Sequence, residues 1–238
     1  MNDELFELWV YLSSTPLLWL TLTCAVYGLA HALYLRADMS PLLNPVATSV
    51  LILVLLLDLT DTDYAAYFEG AQFVHFLLGP AVVALAVPLY QHLAQVRRLL
   101  LPMALALLVG SVTAIVTALA IAALLGASRE TLLSLMPKSV TTPVAMGIAE
   151  GIGGLPALTA SLVILTGIVG AMLAGPLLRL VGIRDPRAAG FALGVAAHGL
   201  GTARAFQMTE IAGVFAGIAM GVNAVLTAIL VPLIVLLL

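Results

Sequence analysis

The chain has 238 residues, of which 63% are hydrophobic and only 9% are charged, with a net charge of −3 at pH 7. Its mean hydropathy is +1.18. This composition leaves too little polar surface for a water-soluble domain and predicts an all-α integral membrane protein. No basic, aromatic-rich stretch is present, which excludes nucleic acid as a partner, and the single Cys24 excludes an internal disulfide.

The apolar runs define the expected crossings. Because a spanning helix needs roughly 20 apolar residues, a single transmembrane domain over residues 1–238 has room for about six to eight segments. Glycine and proline inside several runs predict broken or re-entrant half-helices. In chain order the segments lie at about 17–35, 41–59, 70–95 with Gly79-Pro80 and Pro88 inside it, 99–125, 139–154, 156–180, 188–207 and 211–238.

Positive charges predict the orientation. Arginines between the apolar runs mark cytoplasmic loops under the positive-inside rule, and the loop from Thr60 to Glu69 is acidic with no Lys or Arg. We therefore expect an external N-terminus and a location in the bacterial inner (plasma) membrane. The cytoplasmic arginines are Arg36, Arg97, Arg98, Arg179, Arg184 and Arg187.

Two faint similarities indicate an internal inverted repeat. The segment 86–88 followed by Pro102 resembles 141–143 followed by Pro156, and 78–81 resembles 200–203. The two similarities imply different repeat lengths. The expected repeat halves are residues 1–127 and 128–238, approximately. Broken segments at matching positions of two halves are typical of a transporter's binding site.

Small residues at a spacing of four predict close helix packing. The pairs and triplet with this spacing are Gly147/Gly151, Gly190/Gly194 and Gly213/Gly217/Gly221.

The segment 137–145 has the form of a helix start. Thr142 is the expected N-cap and Pro143 the first helical residue, with the hydroxyls of Ser139 and Thr141 beside them and Lys138 adding positive charge. Free N–H groups and the helix dipole at such an end suit a carboxylate. The alternative is a capped helix at the membrane surface with no ligand.

A second anion-binding helix end is predicted where apolar sequence is interrupted by His198, Gly199 and Gly201. Thr202 is the expected cap, and Arg204 lies on the new first turn. A charge at membrane depth should face a cavity, a partner or a substrate. If this segment lies at the interface instead, Arg204 merely reaches towards water.

Four further residues are second-tier candidates. Glu150 is the only acid in its half-helix and His198 titrates near neutral pH, so either could couple transport to protons; a solvated Glu150 and a structural His198 are the alternatives. Asn44 and Asn223 are included because amides in apolar segments usually bond another helix, and Lys138 is included for its charge near the helix start.

The sequence predicts neither an enzyme nor a cofactor or metal site. It contains no Ser/His/Asp set, HExxH, P-loop or paired-carboxylate pattern, and His31 and His75 lack metal-ligand spacing.

Several longer motifs resemble the LrgB/CidB family of bacterial membrane proteins. The resemblance covers nearly the whole chain after about residue 40. The motifs are Tyr67-Phe68-Glu69-Gly70-Ala71-Gln72-Phe73, Leu77-Leu78-Gly79-Pro80-Ala81, Ala84-Leu85-Ala86-Val87-Pro88-Leu89-Tyr90, Pro137-Lys138-Ser139-Val140-Thr141-Thr142-Pro143 and Ala197-His198-Gly199-Leu200-Gly201-Thr202-Ala203-Arg204.

The resemblance implies two different roles. One is antiholin-like or holin-like, with an LrgA/CidA-type partner, affecting murein hydrolase activity and lysis. The other is carboxylate transport, since fused relatives resemble the plastid glycolate/glycerate transporter and bacterial pairs are associated with pyruvate uptake. Broken helices with converging N-termini, hydroxyls and an arginine favour a carrier over a pore. We also expect a homo-oligomer in the lipid bilayer.

Overall fold

The computed structural model describes residues 15–40, 43–77, 80, 83–84 and 86–237. Within these ranges the ordered elements are all helices, which confirms the predicted all-α fold. They are α1 (Pro16–Arg36), α2 (Pro45–Leu59), α3 (Tyr64–Phe76), α4 (Ala86–Gln91), α5 (Leu93–Arg98), α6 (Leu100–Leu124), α7 (Arg129–Leu135), α8 (Thr142–Ile152), α9 (Pro156–Leu180), α10 (Pro186–Met208) and α11 (Glu210–Leu237).

Helices α1, α6, α9 and α11 are each long and apolar enough to cross a membrane, with 21 to 28 residues. The chain is therefore a multi-pass membrane protein. The 15 residues of α2 extend only about 22 Å at 1.5 Å per residue, short of a hydrocarbon core of about 30 Å. The predicted interruption at Gly79 lies outside the described residues.

The chain divides into two compact units, one up to Ala84 and one from Leu85. In the first, Trp19 is fully buried and meets the ring of Tyr67 edge-on, with the ring centroids 5.8 Å apart. Gly70 allows α3 to approach α1, since a side chain there would meet the backbone of α1. The internal repeat stays a prediction.

One second-tier candidate in the first unit has a structural task. The side-chain oxygen of Asn44 accepts hydrogen bonds from the N–H groups of Val46 and Ala47, at 3.0 and 3.2 Å. This is a helix N-cap, which satisfies two first-turn donors of α2.

In the second unit, the first half of α10 packs backbone to backbone against α11 and runs in the same direction, since Gly190 faces Ala212 and Gly194 faces Ala216. A side chain at Gly190 or Gly194 would run into the carbonyl groups of Ala212 and Ala216, so this glycine pair confirms its predicted role. Gly147 and Gly151, by contrast, face open space, which makes the prediction wrong for that pair. Their helix, α8, packs through other positions.

Ser134 fixes the beginning of α9. Its hydroxyl oxygen accepts a hydrogen bond from the N–H of Leu155 at 2.7 Å, and its carbonyl accepts one from the hydroxyl of Thr159 at 3.0 Å. Ser134 and Thr159 are fully buried. The loop after α8 is therefore held against α7, which sets where the long crossing α9 starts.

The two densest arginine clusters adjoin one cavity of the second unit, which Leu99, the residue after Arg98, and Arg187 both line. The cytoplasmic location of both clusters stays a prediction. Labelling of cysteines introduced at Arg98 and Arg184 from the periplasmic side alone would contradict this orientation.

Candidate functional site

Helix α10 is interrupted at the position of the predicted break. Ala197 has φ −127° and ψ 16°, and His198 has φ 43° and ψ −127°, both outside the helical region. A positive φ at a non-glycine residue costs on the order of 1–3 kcal/mol and persists only when its surroundings enforce it. The break therefore divides α10 into two half-helices at a strained histidine.

The surroundings that enforce this conformation lie on α9. The Nε2 atom of His198 is 3.0 Å from the carbonyl oxygen of Val163, and the histidine is 5% exposed. Because a carbonyl can only accept, Nε2 is assigned as the protonated nitrogen. Gly167 and Gly170 leave the space: a side chain at Gly167 would meet the imidazole, and one at Gly170 would meet Ala197.

Helix α8 starts one residue earlier than the sequence predicted. Thr141, not Thr142, is the N-cap, which places Pro143 in the second helical position. Proline is tolerated there because first-turn N–H groups lack helical partners anyway. The Thr141 side chain makes no capping hydrogen bond. In the part of the chain described, the first-turn N–H groups of Thr142 and Val144 are therefore left without a side-chain acceptor.

Asn223 of α11 joins the two interrupted segments. Its Nδ2 donates hydrogen bonds to the carbonyl oxygens of Ser139 and Val195, each at 3.2 Å. Its Oδ1 accepts a bond from the Ser111 hydroxyl of α6 at 2.5 Å, and Thr227 lies 3.5 Å away. Asn223 is 1% exposed. One buried amide thus links the chain just before α8, the turn before the break in α10, and α6.

Positive charge lies at the same junction. The Lys138 ammonium donates to the hydroxyl of Ser139 at 3.3 Å and is partly buried. Val195, the other carbonyl partner of Asn223, lies three residues before His198. Of the predicted site residues, Lys138, Ser139, Thr141, Thr142 and His198 therefore belong to one region around the Asn223 amide.

The residues after the break hold the kink in place. The Thr202 hydroxyl donates to the carbonyl of His198 at 2.9 Å, so Thr202 lies in the first turn of the second half-helix and is not its cap. The predicted break at residues 198–201 is confirmed at its first residue, His198, whereas the expectation that Thr202 caps the second half-helix is wrong because the backbone turns four residues earlier. A side chain at Gly201 would meet the Leu193 carbonyl, whereas Gly199 has only the Met220 sulfur nearby.

Arg204 and Glu150 occupy more open positions. Arg204 is half-buried in the second turn after the break, and its Nη1 donates to the side-chain oxygen of Gln207 at 3.1 Å. Glu150 is exposed near the end of α8. Among the described residues Asp185 and Arg187 form an ion pair, and His92 lies 3.8 Å from Glu210. Neither predicted pairing of Glu150, with Lys138 or with Arg204, is therefore formed.

A match to a protein-family model extends over residues 23–237, described as the LrgB-like family. The chain belongs to the LrgB-like family. This confirms the resemblance seen in the sequence motifs.

Relatives of this LrgB-like chain match it over most of both lengths. An uncharacterized protein, YxaC, of Bacillus subtilis is 38% identical over 90% of this chain and 93% of its own. The holin-like protein CidB of Staphylococcus epidermidis is 31% identical, over 83% and 86%. The antiholin-like protein LrgB of Bacillus mycoides is 29% identical, over 92% and 95%. No solved structure matches the chain.

Sequence reasoning missed three residues of the site in this LrgB-like protein. Ser111 is 2% exposed and bonds Asn223 across the interior. Val163 supplies the carbonyl for His198, and Gly167 provides the space for the ring. A lone serine in a long apolar crossing was a usable signal for Ser111. Backbone carbonyls carry no sequence signal, which is why Val163 could not be found.

Proposed function

We propose that this LrgB-like protein is a secondary-active, proton-linked carrier of small organic anions, short monocarboxylates such as pyruvate, glycolate or glycerate. The observation that carries the proposal is the double hydrogen bond of Asn223, which fixes the start of α8 beside the break in α10. Interrupted helices that meet in the protein interior are how secondary carriers present backbone groups to a substrate.

The start of α8 offers the chemistry an anion needs. Its first-turn N–H groups point out of the helix with the positive end of the dipole, and no side chain of the described residues caps them. The Thr141 and Thr142 hydroxyls stand at the same end, with the Lys138 ammonium close by. In this proposal a carboxylate binds these groups, and Arg204 of the second half-helix completes the site.

The interior also suits a carrier better than a simple pore. A pore formed by aggregating helices needs no fixed polar interior, whereas this chain holds Ser111, His198 and Asn223 in defined hydrogen bonds at 5% exposure or less. Irregular backbone at membrane depth is tolerated only where protein covers it or where it lines a cavity.

Uptake by the purified protein in vesicles is the test. Labelled pyruvate, glycolate and glycerate are offered with and without an LrgA-type partner, and with an imposed proton gradient in either direction. We expect saturable uptake of at least one carboxylate that an inward proton gradient increases. If uptake is no faster than in protein-free vesicles, both with and without the partner, the protein is not a carboxylate carrier.

The names of two relatives, holin-like CidB and antiholin-like LrgB, favour a second candidate function. In that case the chain, with an LrgA/CidA-type partner, forms or regulates a pore that controls murein hydrolase activity and lysis. Release of a trapped dye several times larger than pyruvate distinguishes the two functions. A carrier retains the dye while it takes up carboxylate, whereas a holin-type pore releases it.

A further inference from the structure

An elongated groove of about 450 Å³ runs between α6 and the first half of α10 in the second unit. Its wall is almost wholly apolar and includes Met103, Ala106, Phe191 and Phe215. Along α6 it extends from Leu99 to Ala114, which is about 22 Å at 1.5 Å per residue. That length exceeds the depth of one leaflet, about half of a 30 Å core.

One end of the groove is strongly basic. Arg97 and Arg98 precede Leu99, and Arg184 precedes the groove residues Asp185 and Arg187. All four arginines are exposed.

Arg187 is the arginine whose charge is already paired. Its Nη2 lies 2.7 Å from the Oδ2 atom of Asp185, and this hydrogen bond lowers the pKa of Asp185 and raises that of Arg187. Within the described part of the chain, Arg97, Arg98 and Arg184 form no ion pair. Three positive charges are thus left at the open end of an apolar groove.

We propose that this groove binds one anionic phospholipid, with an acyl chain between α6 and α10 and the phosphate at Arg97, Arg98 and Arg184. The apolar wall suits a hydrocarbon chain, and the position of the arginines suits a headgroup at the membrane surface.

The inference does not depend on the carrier function, and lipid binding is measured directly. Native mass spectrometry of the purified protein compares retention of phosphatidylglycerol with phosphatidylcholine of identical acyl chains. We expect phosphatidylglycerol to be retained preferentially. Since one basic residue near an anionic surface contributes about fivefold in affinity, the combined Arg97→Gln, Arg98→Gln and Arg184→Gln variant should lose on the order of a hundredfold. Arg129→Gln, which removes an exposed arginine beyond the other end of α6, is the matched control.

Three further variants test the apolar wall and the basic end of the groove separately. Ala106→Phe places an aromatic ring in the groove and should remove the preference, while Ala104→Phe, on the same helix but outside the groove, should keep it. Asp185→Asn preserves an N-cap for α10 but frees Arg187, so it should strengthen phosphatidylglycerol binding about fivefold. Misfolding would weaken lipid binding, so it cannot explain stronger binding by this variant.

Several results would overturn the inference. Equal retention of both lipids, or a preference that survives either the arginine variant or Ala106→Phe, is incompatible with it. Competition by excess soluble glycerol phosphate would indicate a headgroup site without an acyl chain. A change in oligomeric state for Ala106→Phe with unchanged lipid binding would assign the groove to a second copy of the chain.

Discussion

The side-chain nitrogen of Asn223 lies 3.2 Å from the carbonyl oxygen of Val195, three residues before the strained His198. A break in a helix leaves carbonyl groups of the preceding turn without their regular N–H partners. In a membrane no water is available to donate hydrogen bonds to these carbonyls, so a side-chain amide of a neighbouring helix must donate them. The break in α10 therefore depends on α11, which supplies the hydrogen-bond donor for the Val195 carbonyl.

The first prediction concerns this amide. Asn223→Leu leaves the buried carbonyls of Ser139 and Val195 without their shared donor, so the free energy of unfolding should fall by about 1–3 kcal/mol. Thermal unfolding in detergent, followed by circular dichroism, measures the loss. Thr227→Val, one turn later, removes only the long 3.5 Å contact and should change little. Equal stability of parent and Asn223→Leu would show that the junction is not held by this residue.

The second prediction concerns the space for the imidazole. A methyl group at Gly167 would come within 2.9 Å of the His198 ring, so Gly167→Ala must displace the ring or the helix. Such overpacking should lower the free energy of unfolding by about 1–3 kcal/mol. Gly175→Ala on the same helix meets nothing within 4 Å and is the control. If both variants unfold at the temperature of the parent, α9 does not constrain His198.

The third prediction uses glycines whose surroundings differ. Gly194→Ala would drive a methyl group into the Ala216 carbonyl and should destabilise the contact between α10 and α11. Gly147→Ala in α8 meets open space, so it should stabilise the protein, by up to about 1 kcal/mol from helix propensity. Unfolding temperatures of the two variants should therefore move in opposite directions. A shift of the same sign in both is the result that contradicts this assignment.

The fourth prediction tests Arg204 as a substrate contact. A guanidinium offers a planar pair of donors to a carboxylate, whereas lysine offers a point charge. Arg204→Lys should therefore weaken carboxylate binding or uptake by roughly ten- to hundredfold, equivalent to about 1.5–3 kcal/mol. Thr142→Val should give a smaller loss, because it leaves the backbone N–H groups in place.

Gln207→Ala is the matched control for Arg204. It removes the observed partner of the Arg204 guanidinium but retains the arginine. If Arg204→Lys and Arg204→Gln transport as the parent does, Arg204 has a structural role. A loss for Gln207→Ala equal to that for Arg204→Lys leads to the same conclusion.

The fifth prediction separates the two candidates for proton coupling. His198 is buried beside the break, whereas Glu150 is exposed at the far end of α8. We therefore expect His198→Gln to flatten the pH dependence of uptake and Glu150→Gln to leave it unchanged. Uptake by the parent and by both variants is measured as a function of pH. Unaltered profiles in both variants would exclude coupling through either residue.

The sequence alone determined the long helices and the interruption of α10, but it placed a loop where the structure has α7. Long apolar runs gave the crossings α6 and α9 to within one or two residues, because hydrocarbon requires about 20 apolar residues and internal backbone hydrogen bonds. Pro143 predicted the start of α8, and Gly199 and Gly201 predicted an interruption in α10. These signals are local: each depends on what a residue does to its own backbone.

Only the tertiary structure decided which interruption meets which helix. Asn223 was one amide among several in the sequence, and Asn44 had equal standing until it proved to cap α2. The partners of Asn223 and His198 are main-chain carbonyls of Ser139, Val195 and Val163. Every residue carries such a carbonyl, so no residue type marks the one that will lack a partner. The carbonyl that lacks a partner is fixed by the packing of distant helices, which the sequence does not show.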